Sequence, residues 1–266
     1  MKRKRAHLLF RIARYRRWLP VRALARGSEG FLRLYNNVNY DSRANGEERI
    51  LELLGRRAIT CIFDAGASVG EWLELARRSC PDATIHAFEI VPSTFEALRL
   101  RVGADARSVL NQMGLADAPG TVDVFYCPDD PELSSIFPYP TGKASLPVRC
   151  AVTTGDQYCA ERGIAHIDFL KLDVEGLELP ALRGFEGMLA EGRIDVVQFE
   201  YGFINLLPKF LLKDLHEFLS ARGYTVGKVF PNYVDFRAYR LTDEDFMGPN
   251  YLAVRRDRSD LIALLA

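Results

Sequence analysis

The chain has 266 residues, of which 48% are hydrophobic, and its 35 Lys and Arg balance its 35 Asp and Glu to a formal net charge of zero. That length is enough for one large core, and no stretch approaches the roughly 20 apolar residues of a membrane span, so a cytoplasmic body is expected. Five cysteines form an odd set with no C-x-x-C pair, which argues against a disulfide framework or a structural zinc site and for reduced thiols.

The neutral total hides an asymmetry. Residues 1–28 hold ten Lys or Arg and no acid, whereas the rest hold 25 basic and 35 acidic residues. Arg11, Arg14, Arg16 and Arg17 cut every apolar run below the length of a secretion-signal core. Leu9, Ile12, Ala13 and Trp18 suggest an apolar stripe among these arginines. Such a helix suits an anionic membrane surface, a nucleic-acid backbone, or plain solvation and packing. Peripheral membrane contact through residues 1–28 is kept as an expectation, and no nucleic-acid partner is expected. The domain plan is a basic arm and lead-in over 1–46, one domain over 47–256 and a tail over 257–266.

From residue 47 the sequence alternates β-rich runs with helical patterns, which predicts a parallel sheet covered by helices on both faces. "EERILELLGRR" reads as an amphipathic helix and "AITCIFDAGA" as a strand. Ser68 with Glu71 and Ser93 with Glu96 have capping-box spacing ahead of the next two helices, with the strand "ATIHAFEI" between them. "SVLNQMGLAD" predicts a third strand, "GTVDVFYC" a hairpin arm and "LPVRCAV" a further strand, separated from it by a Pro- and Ser-rich loop over 128–147. A short helix "GDQYCAERG", the strand "IDFLKLDVEG", the helix "LPALRGFEGMLAEG" and the strand "IDVVQFEYG" follow. The helix "KFLLKDLHEFLSARG" and the strands "YTVGKVF" and "NYLAVRR" close the pattern.

The chemistry concentrates at strand ends. "IFDAGASVGEW" puts Asp64 before Gly66, Ala67, Ser68 and Gly70, where small residues let backbone approach a ligand and a helix start offers free N–H groups. Glu89, with Ile90 beside it, ends the second strand, where an acid can accept both hydroxyls of a ribose. In "IDFLKLDVEGLEL", alternation sends Lys171, Asp173 and Glu175 to one side. A central parallel strand is buried on both faces, so these charges must pair or meet a ligand. Glu200 and Tyr201 repeat the theme at the end of "VVQFEYG". Asp173, Glu175 and Glu200 can act as base, orient a hydroxylated substrate or hold a divalent cation, with Asp173 and Glu200 the metal candidates. His86, His166 and His216 read as packing or surface residues.

The stretches "FDAGASVGEW", "IHAFEIVPSTFEAL", "IDFLKLDVEGLELPALRG" and "VVQFEYG" together resemble the FkbM family of S-adenosylmethionine-dependent methyltransferases, and "NYDSRANGEERILELL" looks like that group's lead-in. The resemblance implies a Rossmann-like class I methyltransferase sheet of seven main strands, the last antiparallel. It also implies Asp64, Gly66 and Gly70 at the methionine part of S-adenosylmethionine, Glu89 on its ribose, and Asp117 or the backbone near Leu115 at its adenine. Ser68 stands where an asparagine is common, and Gly155 where a leucine is usual, a change expected to touch only packing. The activity implied is O-methylation of a saccharide-containing acceptor, with Glu175 or Glu200 as base and Lys171 and Asp173 in the same catalytic group. Tyr139, Tyr201 and Asn205 are the acceptor-facing candidates, with Phe203 beside them, and an acceptor carried on a lipid would make use of the basic arm.

Two other readings share parts of this pattern. A nicotinamide-dependent oxidoreductase would explain Asp64 and Glu89 but leave Lys171, Asp173, Glu175 and Glu200 without a purpose. A non-catalytic binding module recruited by its basic arm would not need an acid at each of four strand ends.

Overall fold

A computed structural model describes residues 10–128, 134–138 and 144–266. Residues 10–14 are helical, and α1 (Leu19–Tyr35) follows with Pro20 in its first turn, where a missing N–H costs nothing. The body opens with α2 (Glu47–Gly55), β1 (Cys61–Ala65), α3 (Glu71–Ser79), β2 (Thr84–Phe88), α4 (Pro92–Val102), β3 (Ser108–Asn111) and β4 (Gly114–Leu115). Next come β5 (Gly120–Tyr126), β6 (Leu146–Thr153), α5 (Gly155–Arg162), β7 (Ile167–Leu172), α6 (Glu178–Arg183), α7 (Glu186–Ala190) and β8 (Ile194–Glu200). The chain ends with α8 (Leu212–Ala221), β9 (Tyr224–Phe230), β10 (Tyr233–Phe236), β11 (Asn250–Arg255) and α9 (Ser259–Leu265).

The main sheet has the order β10-β9-β11-β8-β7-β1-β2-β3. Pairing is parallel from β3 through β8, and β11 lies antiparallel between β8 and β9. The expected seven strands are all present, and β10 adds an eighth by folding back on β9. Two apolar layers cover the faces. One gathers Phe63, Leu170, Leu172, Phe185 and Phe199, and the other Ile62, Phe169, Val196, Leu252 and the buried side of α2 and α3.

Several expectations change in detail. The predicted third strand divides, because β3 stays in the main sheet while β4 joins β5 and β6 in a separate three-stranded sheet. Val124 and Cys150 of that small sheet pack on Val91 and so build a wall beside the end of β2. The helix predicted over 179–192 breaks into α6 and α7 at Gly184, whose Cα lies so near the Ala116 carbonyl that a Cβ would sit 2.1 Å from its oxygen. Neither capping box forms. α3 starts from left-handed Gly70 and α4 from Val91, and neither has a side-chain cap. The segment expected as a tail carries α9, with Leu261 and Leu265 buried in the second layer. Gly155 is a packing position, since a Cβ there would meet the Phe185 ring at 2.1 Å.

The lead-in is part of the body. Asn37 Nδ2 donates to the carbonyls of Asn45 and Val229, at 2.8 and 3.0 Å. Buried Glu47 accepts from Asn45, Gln198 and Asn250, which ties the start of α2 to the ends of β8 and β11.

Candidate active site

The strand order reverses at β1, whose neighbours are β2 and β7. Ligands of open parallel sheets sit at such a switch point, beyond the carboxyl ends of the strands. A cleft of about 560 Å³ lies there, within the range of small-molecule sites.

Its floor is a contact between two loops. Gly66 has φ of +84° and packs on the end of β7 so closely that a Cβ would fall 1.8 Å from the Asp173 carbonyl oxygen. The N–H groups of Gly66 and Ala67 both donate to Phe88 O, and Asp173 N donates to Ala65 O. Ser68 is itself left-handed, with φ of 46°. Its N–H donates to Glu89 Oε2 at 3.0 Å, while Val91 N donates to Oε1 at 2.8 Å. Glu89 thus braces the glycine loop and the start of α4. Each of its oxygens retains a lone-pair site that can accept a ligand hydroxyl. Burial, only partly offset by these backbone donors, raises its pKa to about 7.

Behind this floor the charges are paired. Lys171 Nζ lies 3.0 Å from Asp173 Oδ2 and 3.4 Å from Asp64 Oδ1, and 5.3 Å from the centre of the Trp72 ring. Burial pushes the Lys171 pKa down, but the carboxylates of Asp173, Asp64 and Glu47 outweigh it and hold the ammonium charged. Asp64 is fully buried, and burial raises its pKa against the pull of Lys171. Its Oδ2 and the Trp72 Nε1 are buried without a hydrogen-bond partner among the described residues.

Across the cleft Glu200 ends β8. Burial, then the charges of Asp173 and Glu175, raise its pKa well above the usual carboxylate range. Tyr40 and Ser42 of the lead-in also line the cleft, and burial followed by Glu200 raises the Tyr40 phenol. Glu178 is buried beneath the turn after β7, accepting the N–H groups of Val174 and Gly176 at 3.3 and 3.2 Å. Burial raises its pKa to about 7. A carboxyl raised in the folded state favours folding below its unfolded pKa, and that stability is lost as pH rises through the folded value. The stability gap between wild type and Glu178→Gln should therefore move toward the variant by about 2 kcal/mol between pH 5 and pH 8. Urea unfolding at the two pH values measures it, and a constant gap contradicts the raised pKa.

Of the residues singled out in the sequence, Gly66, Ala67, Ser68, Glu89, Ile90, Lys171, Asp173, Glu175, Glu200 and Tyr201 line the cleft. Asp64 and Gly70 stand behind its wall, Asp64 against Lys171 and Gly70 against Leu98. Asp117 is exposed and not part of the lining, which Leu115 and Ala116 supply instead. Asn205 is buried as a turn brace: its Oδ1 accepts from Gly202 N at 2.8 Å and its Nδ2 donates to Glu178. Tyr201 gives its hydroxyl to Glu244 at 2.7 Å and stacks on Phe246, so it is an anchor rather than a free platform. Tyr139 lies outside the described residues. Glu175 does not follow strand alternation, because β7 ends at Leu172 and Glu175 has φ of 53° in the turn.

The metal expectation for Asp173 and Glu200 gains no support. Among the described residues the one group of three whose ligand atoms lie within 4.8 Å of one another is His166, Asp168 and Asp195, at the opposite ends of β7 and β8. Sequence reasoning missed Glu47, Tyr40, Trp72 and the buried brace Glu178. Glu47 and Glu178 carried local signals, the first as an acid directly after a glycine at the start of an amphipathic helix and the second as the third carboxylate of the charged stretch that begins at Lys171.

This sheet order, with its antiparallel strand between two parallel ones and a glycine-floored cleft at the switch point, is the class I methyltransferase architecture. Residues 64–226 match the profile described as the methyltransferase FkbM domain, and the chain belongs to that family. It is 29% identical over 153 residues to the 31-O-demethyl-FK506 methyltransferase FkbM of Streptomyces tacrolimicus, covering 47% of this chain and 59% of that protein. It is 28% identical over 155 residues to methyltransferase sdnD of Sordaria araneosa, covering 47% and 60%. The matched regions thus span about three fifths of those two relatives. Among solved structures, a methyltransferase FkbM from Methylobacillus flagellatus KT superposes with a TM-score of 0.46 at 17% identity, covering 74% of this chain and 44% of that one.

Proposed function

We propose that the protein is an S-adenosylmethionine-dependent O-methyltransferase whose acceptor hydroxyl belongs to a saccharide or sugar-containing molecule. The observation that carries the reading is the cleft itself, where a glycine floor and the Glu89 carboxyl face a second wall ending in Glu200. These residues fit the cofactor. Glu89 has acceptor sites for a ribose diol, and Ile90, Met113, Leu115 and Val152 form an apolar wall suited to adenine. The unpartnered Trp72 Nε1 offers a donor at the same cleft.

When bound, S-adenosylmethionine supplies an electrophilic methyl on its sulfonium. The chain's part is to hold the acceptor hydroxyl in line and take its proton. Glu200 is the better base of the two expected, because partial burial and the neighbouring charges of Asp173 and Glu175 raise its proton affinity well above that of an ordinary carboxylate. Lys171 pairs with both Asp64 and Asp173 and so fixes the two carboxyls in place. A saccharide suits the acids of the cleft, since carboxylates accept hydroxyl hydrogen bonds, and the relative from Streptomyces tacrolimicus is named for an O-methyl transfer.

The test begins with melting. At 100 times its dissociation constant S-adenosylhomocysteine should stabilise the protein by about 2.7 kcal/mol, while NAD should not. Transfer of labelled methyl to oligosaccharides should then fall at least 100-fold in Glu200→Gln, with the melting shift retained. A shift with NAD alone would favour the oxidoreductase reading. A shift with S-adenosylhomocysteine but labelling confined to amines or carboxylates would overturn O-methylation.

A further inference from the structure

α1 buries no residue against the body. Arg22, Arg26 and Arg33 recur at spacings of four and seven and share one stripe of the helix, with Glu29 between them. Leu24, Phe31 and Tyr35, at spacings of seven and four, share the side away from that stripe. With Leu34 they are between 65 and 81% exposed. Phe10, Ile12 and Trp18 continue this exposed apolar character toward the start of the chain. Apolar side chains left in water along a helix that also carries arginines describe a surface built to be covered.

The geometry points to a docking surface for an anionic lipid bilayer, formed by the helical residues 10–14 and by α1, whose Tyr35 end leads into the cleft lining. Charge selects the partner and its orientation. Residues 1–28 hold ten basic residues and no acid, whereas the remainder carries 35 acids against 25 basic residues. An anionic surface therefore attracts the arm and repels the body, while the leucines and aromatic rings enter the acyl boundary and the arginines remain at the headgroups. A nucleic-acid backbone would use the arginines but leave the aliphatic side chains exposed. A second copy would bring two arms of like charge together.

The end of α1 is tied to the catalytic side of the molecule. Asn36 Nδ2 donates to Leu32 O and to Met247 Sδ, and Asn37 is held by Asn45 O and Val229 O. The following residues include Tyr40 and Ser42 of the cleft lining. On the cleft rim exposed Phe203 stacks at 5.8 Å on Phe246, the chain neighbour of Met247. On the methyl-transfer reading, which this one consequence rests on, an acceptor carried on a lipid meets the cleft without leaving the interface. The docking itself does not depend on that reading.

The chain supplies its own reporter, because of its two tryptophans Trp18 is 62% exposed and Trp72 is buried. The full chain, without cofactor, is mixed with vesicles of phosphatidylcholine alone or with one quarter phosphatidylglycerol. Binding to the anionic vesicles should be at least tenfold tighter, weaken in 0.5 M salt, and shift Trp18 emission to the blue, a shift absent in Trp18→Phe. Leu24→Asp with Phe31→Asp should cut binding at least tenfold while leaving the melting shift with S-adenosylhomocysteine intact. Equal binding to neutral vesicles, no binding, or full binding by the double variant would overturn the proposal. So would tighter binding to single-stranded RNA than to the vesicles, or a dimer in sedimentation velocity that the double variant dissociates.

Discussion

Replacing Gly66 with alanine should abolish cofactor binding and destabilise the fold, because the added methyl has nowhere to go. Its Cβ would lie 1.8 Å from the Asp173 carbonyl oxygen and 2.8 Å from the carbonyl carbon, and both are backbone atoms of the facing loop. The backbone is also held at φ of +84°, where an L-residue is strained. Strain and overpacking together cost about 2–5 kcal/mol unless the loops separate. Separation would break the bond from Asp173 N to Ala65 O and open the cleft floor. Calorimetric titration with S-adenosylhomocysteine should show at least a 100-fold loss of affinity. Gly70→Ala is the control. Its Cβ would meet the movable Leu98 Cδ1 at 2.7 Å and lies behind the cleft, so destabilisation should outweigh any loss of binding. Similar affinity for Gly66→Ala and wild type would show that this loop contact is not the floor of the cofactor site.

Lys171→Met should be the most damaging single change to stability among the charged residues. Removing one partner of a buried ion pair costs about 3–5 kcal/mol, because the remaining charge has lost both water and its counterion. Asp64 is fully buried and depends on Lys171, and Asp173 loses its nearest cation at the same time. Against a total stability of about 5–15 kcal/mol this loss is large. A melting temperature about 10 °C lower is the expected reading for a chain of this size. The loss should shrink in acid, since the pKa of an unpaired buried Asp64 rises further and the neutral form folds without penalty. Adding Asp64→Asn should recover part of it, and the double-mutant cycle measures the pair. If Lys171→Met melts like wild type at pH 8, the ammonium is not the charge that keeps Asp64 tolerable.

Opposite ends of β7 and β8 separate function from support. At the amino ends, Asp168 and Asp195 are already committed: Asp168 accepts the N–H groups of Thr60 and Cys61, and Asp195 pairs with Arg255, Arg258 and His166. At the carboxyl ends, Asp173, Glu175 and Glu200 face a cleft large enough for a ligand. Strand direction alone sorts these acids, because the carboxyl ends of a parallel sheet open onto the loops that shape a pocket.

The sheet and most of the cleft lining are legible in the order of residues alone. Runs such as "CIFDA" and "IDFLKL" carry apolar residues on both faces, the pattern of central parallel strands, and the charges within and after such strands must meet a partner or a ligand. For that reason Lys171, Asp173, Glu89 and Glu200 were legible without coordinates. Which acids face the cleft and which serve as support depends on contacts between segments distant in the chain. Asp64 turned out to be the countercharge of Lys171, Asn205 a turn brace and Tyr201 an anchor on Glu244, while Glu47 and Tyr40 came to the site from a segment more than 100 residues away in the chain from Glu200. Local spacing carries the period of a strand or helix. It does not carry the long-range hydrogen bonds that consume a polar group, and those bonds are what separate a site residue from a structural one.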